Sequence, residues 1–92
     1  MGNSIQGTIK PSATTVTTTA AAIPASALEG RRTLLMKNNG AVIVYLGDST
    51  VTIANGYPLE PAEEKAFDIE GKLAIYGITE ADDCEVRILE GA

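Results

Sequence analysis

Histidine and tryptophan are absent from this sequence, and cysteine and phenylalanine occur once each. Without histidine the commonest general base is missing, and with it every Ser-His or Cys-His nucleophile pair. A zinc site would have one cysteine as its only soft ligand. That residue, Cys84, cannot close an internal disulfide; it reads as a reduced core thiol on an inward strand position, with no second cysteine to resolve an oxidised one. The glycines form no phosphate loop, because neither G-x-G-x-x-G nor G-x-x-x-x-G-K-[ST] occurs between a strand and a helix. Two adjacent acid pairs, Glu63-Glu64 and Asp82-Asp83, lack the D-x-D-x-D-G spacing of a calcium loop. Neighbouring strand residues also diverge to opposite faces, so both pairs read as solvated loop charge. No catalytic, cofactor-binding or metal-binding residue is nominated.

Basic residues are also few, and they are unevenly placed. Residues 1–47 carry Lys10, Arg31, Arg32 and Lys37 against Glu29, whereas residues 48–92 carry Lys65, Lys72 and Arg87 against eleven acids, for a net charge of −5. Nucleic-acid backbones require clustered cations, and the one adjacent pair, Arg31-Arg32, reads as a solvated strand end with no aromatic platform beside it. No nucleic-acid partner is expected. No apolar run reaches membrane-spanning length, and the first residues lack the basic and apolar regions of a secretory signal, so synthesis in the cytosol and no membrane partner are expected. Met1-Gly2 would suit myristoylation, but Gln6 stands where Ser or Thr is needed.

What the chain does contain is strand after short strand. In Arg31–Gly47, RRTLLMKNNGAVIVYLG, two apolar runs flank Asn38-Asn39-Gly40, a sequence suited to a tight reversal, and a β-hairpin is predicted. Turns follow at Gly47-Asp48-Ser49-Thr50, Asn55-Gly56 and Glu70-Gly71, with strands at 51–54, 63–69, 73–78 and 84–89. Pro58 and Pro61 keep their neighbours out of central ladder positions. Phe67 and Ile69 are expected to point inward, and Cys84, Val86 and Ile88 alternate with Glu85 and Arg87 as one buried and one wet face. Pro24–Gly30 is a connection with at most one helical turn closed by Gly30. The fold class is therefore all-β: a small antiparallel sandwich or barrel of six to eight short strands, with strand order left open between an immunoglobulin-like sandwich and a jelly roll.

Residues 1–22, rich in Thr and Ala, are predicted to be an extended N-terminal arm preceding a body at 23–92. Composition leaves a disordered tail or linker equally open. Extended Thr-rich segments can add to an exposed sheet edge, which favours the arm. A body of this size without disulfide or metal staples points to oligomerisation, and both parities of the 31–47 hairpin are apolar. One face therefore calls for a subunit interface. The residues assigned to an oligomer or partner interface are Thr15, Val16, Thr17 and Thr18 of the arm and Leu35, Val42, Val44 and Leu46 of the hairpin. Tyr45 and Tyr76 read as core or interface residues, and Tyr57, in a Gly-Tyr-Pro loop, as an exposed contact.

The segments LLMKNNGAVIVYLGDSTVTIANGYPLEPAEE and KLAIYGITEADDCEVRILEG resemble small virion structural proteins of tailed bacteriophages and prophages. In that group a Thr- or Ala-rich segment precedes an "LL-x-x-NNG…VYLG" hairpin, an "NG-x-P-L-x-P" turn and a final "VRILEG"-like strand. The resemblance spans residues 14–91 and rests on turn and strand signatures. It implies a non-enzymatic capsid decoration, cement or head-fibre protein located on the virion, homo-oligomeric and in particular trimeric, with the major capsid protein or another virion protein as partner. Neck or tail placement, and a carbohydrate- or host-surface-binding module presenting Tyr57 and the loops at 47–50 and 55–58, are the alternatives.

Overall fold

The computed structural model describes residues 7–70 and 72–92. The strands are β1 (Ile9–Val16), β2 (Ala21–Ile23), β3 (Thr33–Asn38), β4 (Val44–Gly47), β5 (Tyr57–Leu59), β6 (Glu64–Phe67), β7 (Ile75–Ile78) and β8 (Cys84–Gly91). They form two four-stranded antiparallel sheets, β1-β8-β3-β6 and β2-β7-β4-β5. In the pairings β1–β8, β2–β7, β3–β6 and β4–β5 the chain doubles back on itself around the 48–56 link, and successive pairs fall in alternate sheets. The pairings β3–β8 and β4–β7 complete the sheets. This is the strand order of the jelly roll, a topology that covers both inner faces with one rolled ribbon.

The expected all-β sandwich is thus present, and strand order selects the jelly roll. Val16, Leu34, Met36, Cys84, Val86 and Ile88 from one sheet meet Ile23, Val44, Leu46 and Leu59 from the other, with Phe67 and Ile69 packed beside them. Each such aliphatic side chain contributes about 1.5–3 kcal/mol by leaving water. The period-2 alternation of β8 is as expected.

Several boundaries differ from expectation. The 31–47 hairpin does not form: β3 pairs with β6 and β8, β4 with β5 and β7, so the NNG segment carries the chain from one sheet to the other. The inward residues of 31–47, Leu34 and Met36 of β3 and Val44 and Leu46 of β4, fill one core, while Leu35 and Tyr45 take the outward parity of two different sheets. Asn38 is the cause. It lies within β3, buried, and its Nδ2 donates to Val42 O (2.7 Å) and Leu59 O (2.9 Å). Its Oδ1 accepts from Gly40 N–H (2.9 Å) and the Cys84 thiol (3.0 Å). All four hydrogen-bonding positions of the amide are used to hold an arch between the sheets.

The 1–22 segment, where described, is extended and does join a sheet edge, but the edge is that of its own body. β1 runs along β8 and β2 along β7, with Val16 and Ile23 in the core. Residues 51–54 form no strand; Val51 is a buried loop residue and 53–55 turn. The Asn55-Gly56 reversal and the Asp48 turn are present. No helical turn follows Pro24, although Gly30 does adopt a left-handed φ of 72°. Gly71 of the expected Glu70-Gly71 turn, and Met1, Gly2 and Gln6 of the myristoylation test, lie outside the described residues.

The opposite end of the sandwich is closed by a buried ion pair. Arg31 is only 2% exposed, so the expected solvated strand end holds for Arg32 alone. Arg31 Nη1 donates to Glu90 Oε2 (3.0 Å), which also accepts the Leu28 N–H (2.9 Å). Arg31 Nη2 donates to Leu73 O (2.8 Å) and Glu70 O (3.2 Å). The pair ties the β2–β3 and β6–β7 links to β8. Arg31 Nε and Glu90 Oε1 have no partner among the described residues, so the cluster is strongly held but not saturated.

Candidate interaction surfaces

The nominated residues fall into two groups in the folded chain, core and surface. Val16, Val44 and Leu46 face the core and cannot meet a partner without unfolding the sandwich, so they are removed from the interface set. The reason is the topology: the β4 parity assigned to a subunit contact is the parity that faces the other sheet. Val42 is half-buried against the core. Thr15 and Thr18 are exposed, and Thr17 is half-buried, its carbonyl accepting the Thr79 N–H (2.8 Å). Leu35 alone among the nominated hairpin residues lies on an outward face.

That face belongs to the β1-β8-β3-β6 sheet. Register aligns Pro11, Leu89, Leu35 and Ala66 in one row across its four strands. The adjacent row is Ala13, Arg87, Lys37 and Glu64. A surface recess of about 600 Å³ follows these rows. Arg87 Nε donates to Glu85 Oε1 (3.0 Å), which also accepts from Asn39 Nδ2 (2.9 Å). These bonds, that of Asn39 foremost, hold the Glu85 carboxyl below its ordinary pKa. The face therefore combines an apolar band with balanced, partly paired charge.

The free edge of this sheet is guarded. Thr8 and Ala92 exchange both backbone hydrogen bonds, so Ile9, Pro11, Ala13 and Thr15 turn their backbone groups away from β8. Pro11 places its missing N–H on that open edge. On the other side Lys65 of β6, paired with buried Met36 and so directed inward, lies over the Tyr57 ring, 4.9 Å from its centroid. This cation–π contact bridges the two edge strands β5 and β6. Tyr57 is 56% exposed, as expected of a contact residue, but one face of its ring is occupied by Lys65 of the same chain.

The outward face of the β2-β7-β4-β5 sheet is different in kind. Tyr45 lies between Ile78 and Pro58, and Tyr76 lies between Ala22 and Gly47. No residue of β2, β4, β5 or β7 is charged. The strand charges Lys10, Lys37, Glu64, Lys65, Glu85, Arg87 and Glu90 are all in the other sheet.

Sequence reasoning missed two residues that shape these surfaces. Asn38 was hidden inside a plausible turn. Arg31 was discoverable from Glu90, since the inward alternation Cys84, Val86, Ile88 continues to position 90, and an inward carboxylate needs a buried partner. Among the described residues no group of three or more Cys, Asp or Glu side chains gathers in metal-binding geometry, and no helix is long and apolar enough to cross a membrane. The fold and surfaces define the class: a jelly-roll sandwich, eight-stranded among the described residues, with two chemically distinct outer faces. No protein-family model matches the chain, and no curated protein matches it.

Proposed function

We propose that this protein is a non-enzymatic structural component of a tailed-phage virion, a decoration or cement subunit that binds the head shell as a homo-oligomer. The observation that carries the reading is the pair of outward sheet faces, each with a band of apolar side chains on a rigid sandwich whose recesses lie on the surface. Such a body suits broad contact with a repeated, symmetric surface better than the enclosure of a small molecule. The phage-like turn and strand signatures at 34–64 and 72–91 support the same role, and synthesis in the host bacterial cytoplasm follows from it.

Self-association belongs to the β1-β8-β3-β6 face. Its apolar row Pro11, Leu89, Leu35, Ala66 lies beside two cations and two anions that a second copy can complement, and trimers sitting where shell subunits meet are the favoured assembly. Light scattering of purified protein should give about three times the 9.6 kDa chain mass. The mass should fall towards one chain in Leu89→Glu, and the wild type should pellet with heads that lack it. A monomer that ignores heads would overturn the proposal. A sugar-binding role through Tyr57 is less well supported, because Lys65 covers a ring face that a sugar would stack on.

A further inference from the structure

Resting on the virion reading, we infer that the outer face of the β2-β7-β4-β5 sheet is the docking surface for the shell. Its occupant is a protein surface that presents an apolar patch bordered by lysine or arginine side chains.

The face has the composition of an interface core. It is free of charge across four strands and is anchored by Tyr45 and Tyr76, with Ile78 and Pro58 beside them. Charge depletion with tyrosine enrichment distinguishes buried contact surface from ordinary surface. Among the described residues no strand packs against its outer side.

The border of the face identifies what covers it. At the end where β7 and β5 finish, the links 17–20, 39–43, 60–63 and 79–83 carry Glu60, Glu63, Glu80, Asp82 and Asp83, and no lysine or arginine. A recess of about 340 Å³ joins the two chemistries, lined by Val42, Ile43 and Tyr45 on one side and Glu80, Ala81 and Asp82 on the other. This arrangement accommodates a long cationic side chain. Its aliphatic stem lies on Ile43, its cation stands beside the Tyr45 ring, and its N–H groups donate to the Glu80 or Asp82 carboxylate.

A second copy is the poorer occupant. Its strands on this face carry no cation, its acidic end would meet acid in a parallel arrangement, and in an antiparallel one the exposed cations of the opposite end, Arg32 and Lys72, come accompanied by Glu29, Asp68 and Glu70. The surface would thus discriminate by charge: an apolar patch ringed by acid is repelled, and one ringed by base is steered into place.

The test uses full-length protein and heads assembled without it. Binding is measured by co-sedimentation at low and high salt, with solution mass and thermal midpoint recorded for every variant. Tyr76→Glu should bind heads about tenfold or more weaker than wild type. The double variant Glu80→Lys/Asp82→Lys, altered only in an exposed loop, should bind similarly weakly at low salt and lose the salt dependence of the wild type. Both should keep the wild-type mass and melt. Zero-length carbodiimide coupling of wild-type protein on heads should join Glu80, Asp82 or Asp83 to a shell lysine. Wild type that pellets while both variants bind equally well overturns this inference and leaves the virion role standing. A fall in solution mass in Tyr76→Glu also overturns it, by making the occupant a second copy. Wild type that fails to pellet removes both.

Discussion

Asn38 is where the arch between the sheets can be broken with a single substitution. In Asn38→Ala, Leu59 O loses a buried hydrogen bond, a loss of about 1–3 kcal/mol. Val42 O and Gly40 N–H sit where water can partly reach them and lose about 0.5–1 kcal/mol each. The Cys84 thiol loses a weak acceptor. The sum is about 3 kcal/mol, which for a domain of this size lowers the melting temperature by roughly 12–24 °C. Asn38→Asp should be worse, because it aims a carboxylate at two carbonyl oxygens. Asn39→Ala, which removes only an exposed bond to Glu85, should change stability by less than about 0.5 kcal/mol. Urea unfolding followed by circular dichroism measures all three. If Asn38→Ala loses under about 1 kcal/mol, or if Asn39→Ala loses as much as Asn38→Ala, the segment is a simple turn and the arch is refuted.

The Arg31–Glu90 pair is destabilising when halved: Arg31→Met and Glu90→Leu should each lose about 3–5 kcal/mol, and the double variant less than either, with strict additivity in a double-mutant cycle as the refuting result. At the 48–50 turn, the Thr50 hydroxyl foremost and the Thr50 N–H next lower the Asp48 pKa. A depressed folded-state value means that this stabilisation is present above the ordinary carboxylate pKa and is lost as pH falls through the folded value. Thr50→Val should raise the Asp48 titration towards its ordinary position by NMR, and an unchanged midpoint would contradict the assignment. Gly77→Ala would press a Cβ into Ile23 Cδ1 and to 3.1 Å from Val44 Cγ1. A loss of about 1–3 kcal/mol in denaturant is expected, partly recovered by adding Ile23→Val.

The short strands, most of the reversals and the inward-facing residues of β8 are legible in the amino-acid sequence alone. These are local properties: β-branched and apolar alternation needs only the pleat, and Asp48-Ser49-Thr50 or Asn55-Gly56 need only their own side chains and backbone. Cys84 was legible as an inward thiol for the same reason. Tertiary structure decided which strands pair. Adjacent strands β3 and β4 have the composition of a hairpin, yet the amide of Asn38 finds better partners in Val42, Leu59 and Cys84 than a two-residue turn would offer, and the chain crosses between sheets. The same decision turned Val44 and Leu46 from interface candidates into core, and drew Ile9–Val16 into a sheet through its pairing with β8. It buried Arg31 against Glu90 across a long sequence separation and gathered every strand charge into one sheet. The alternation of β8 signals that Glu90 turns inward, but none of these pairings is set by neighbours along the chain, because each depends on which distant backbone and side-chain groups remain to be satisfied once the two sheets close on one another.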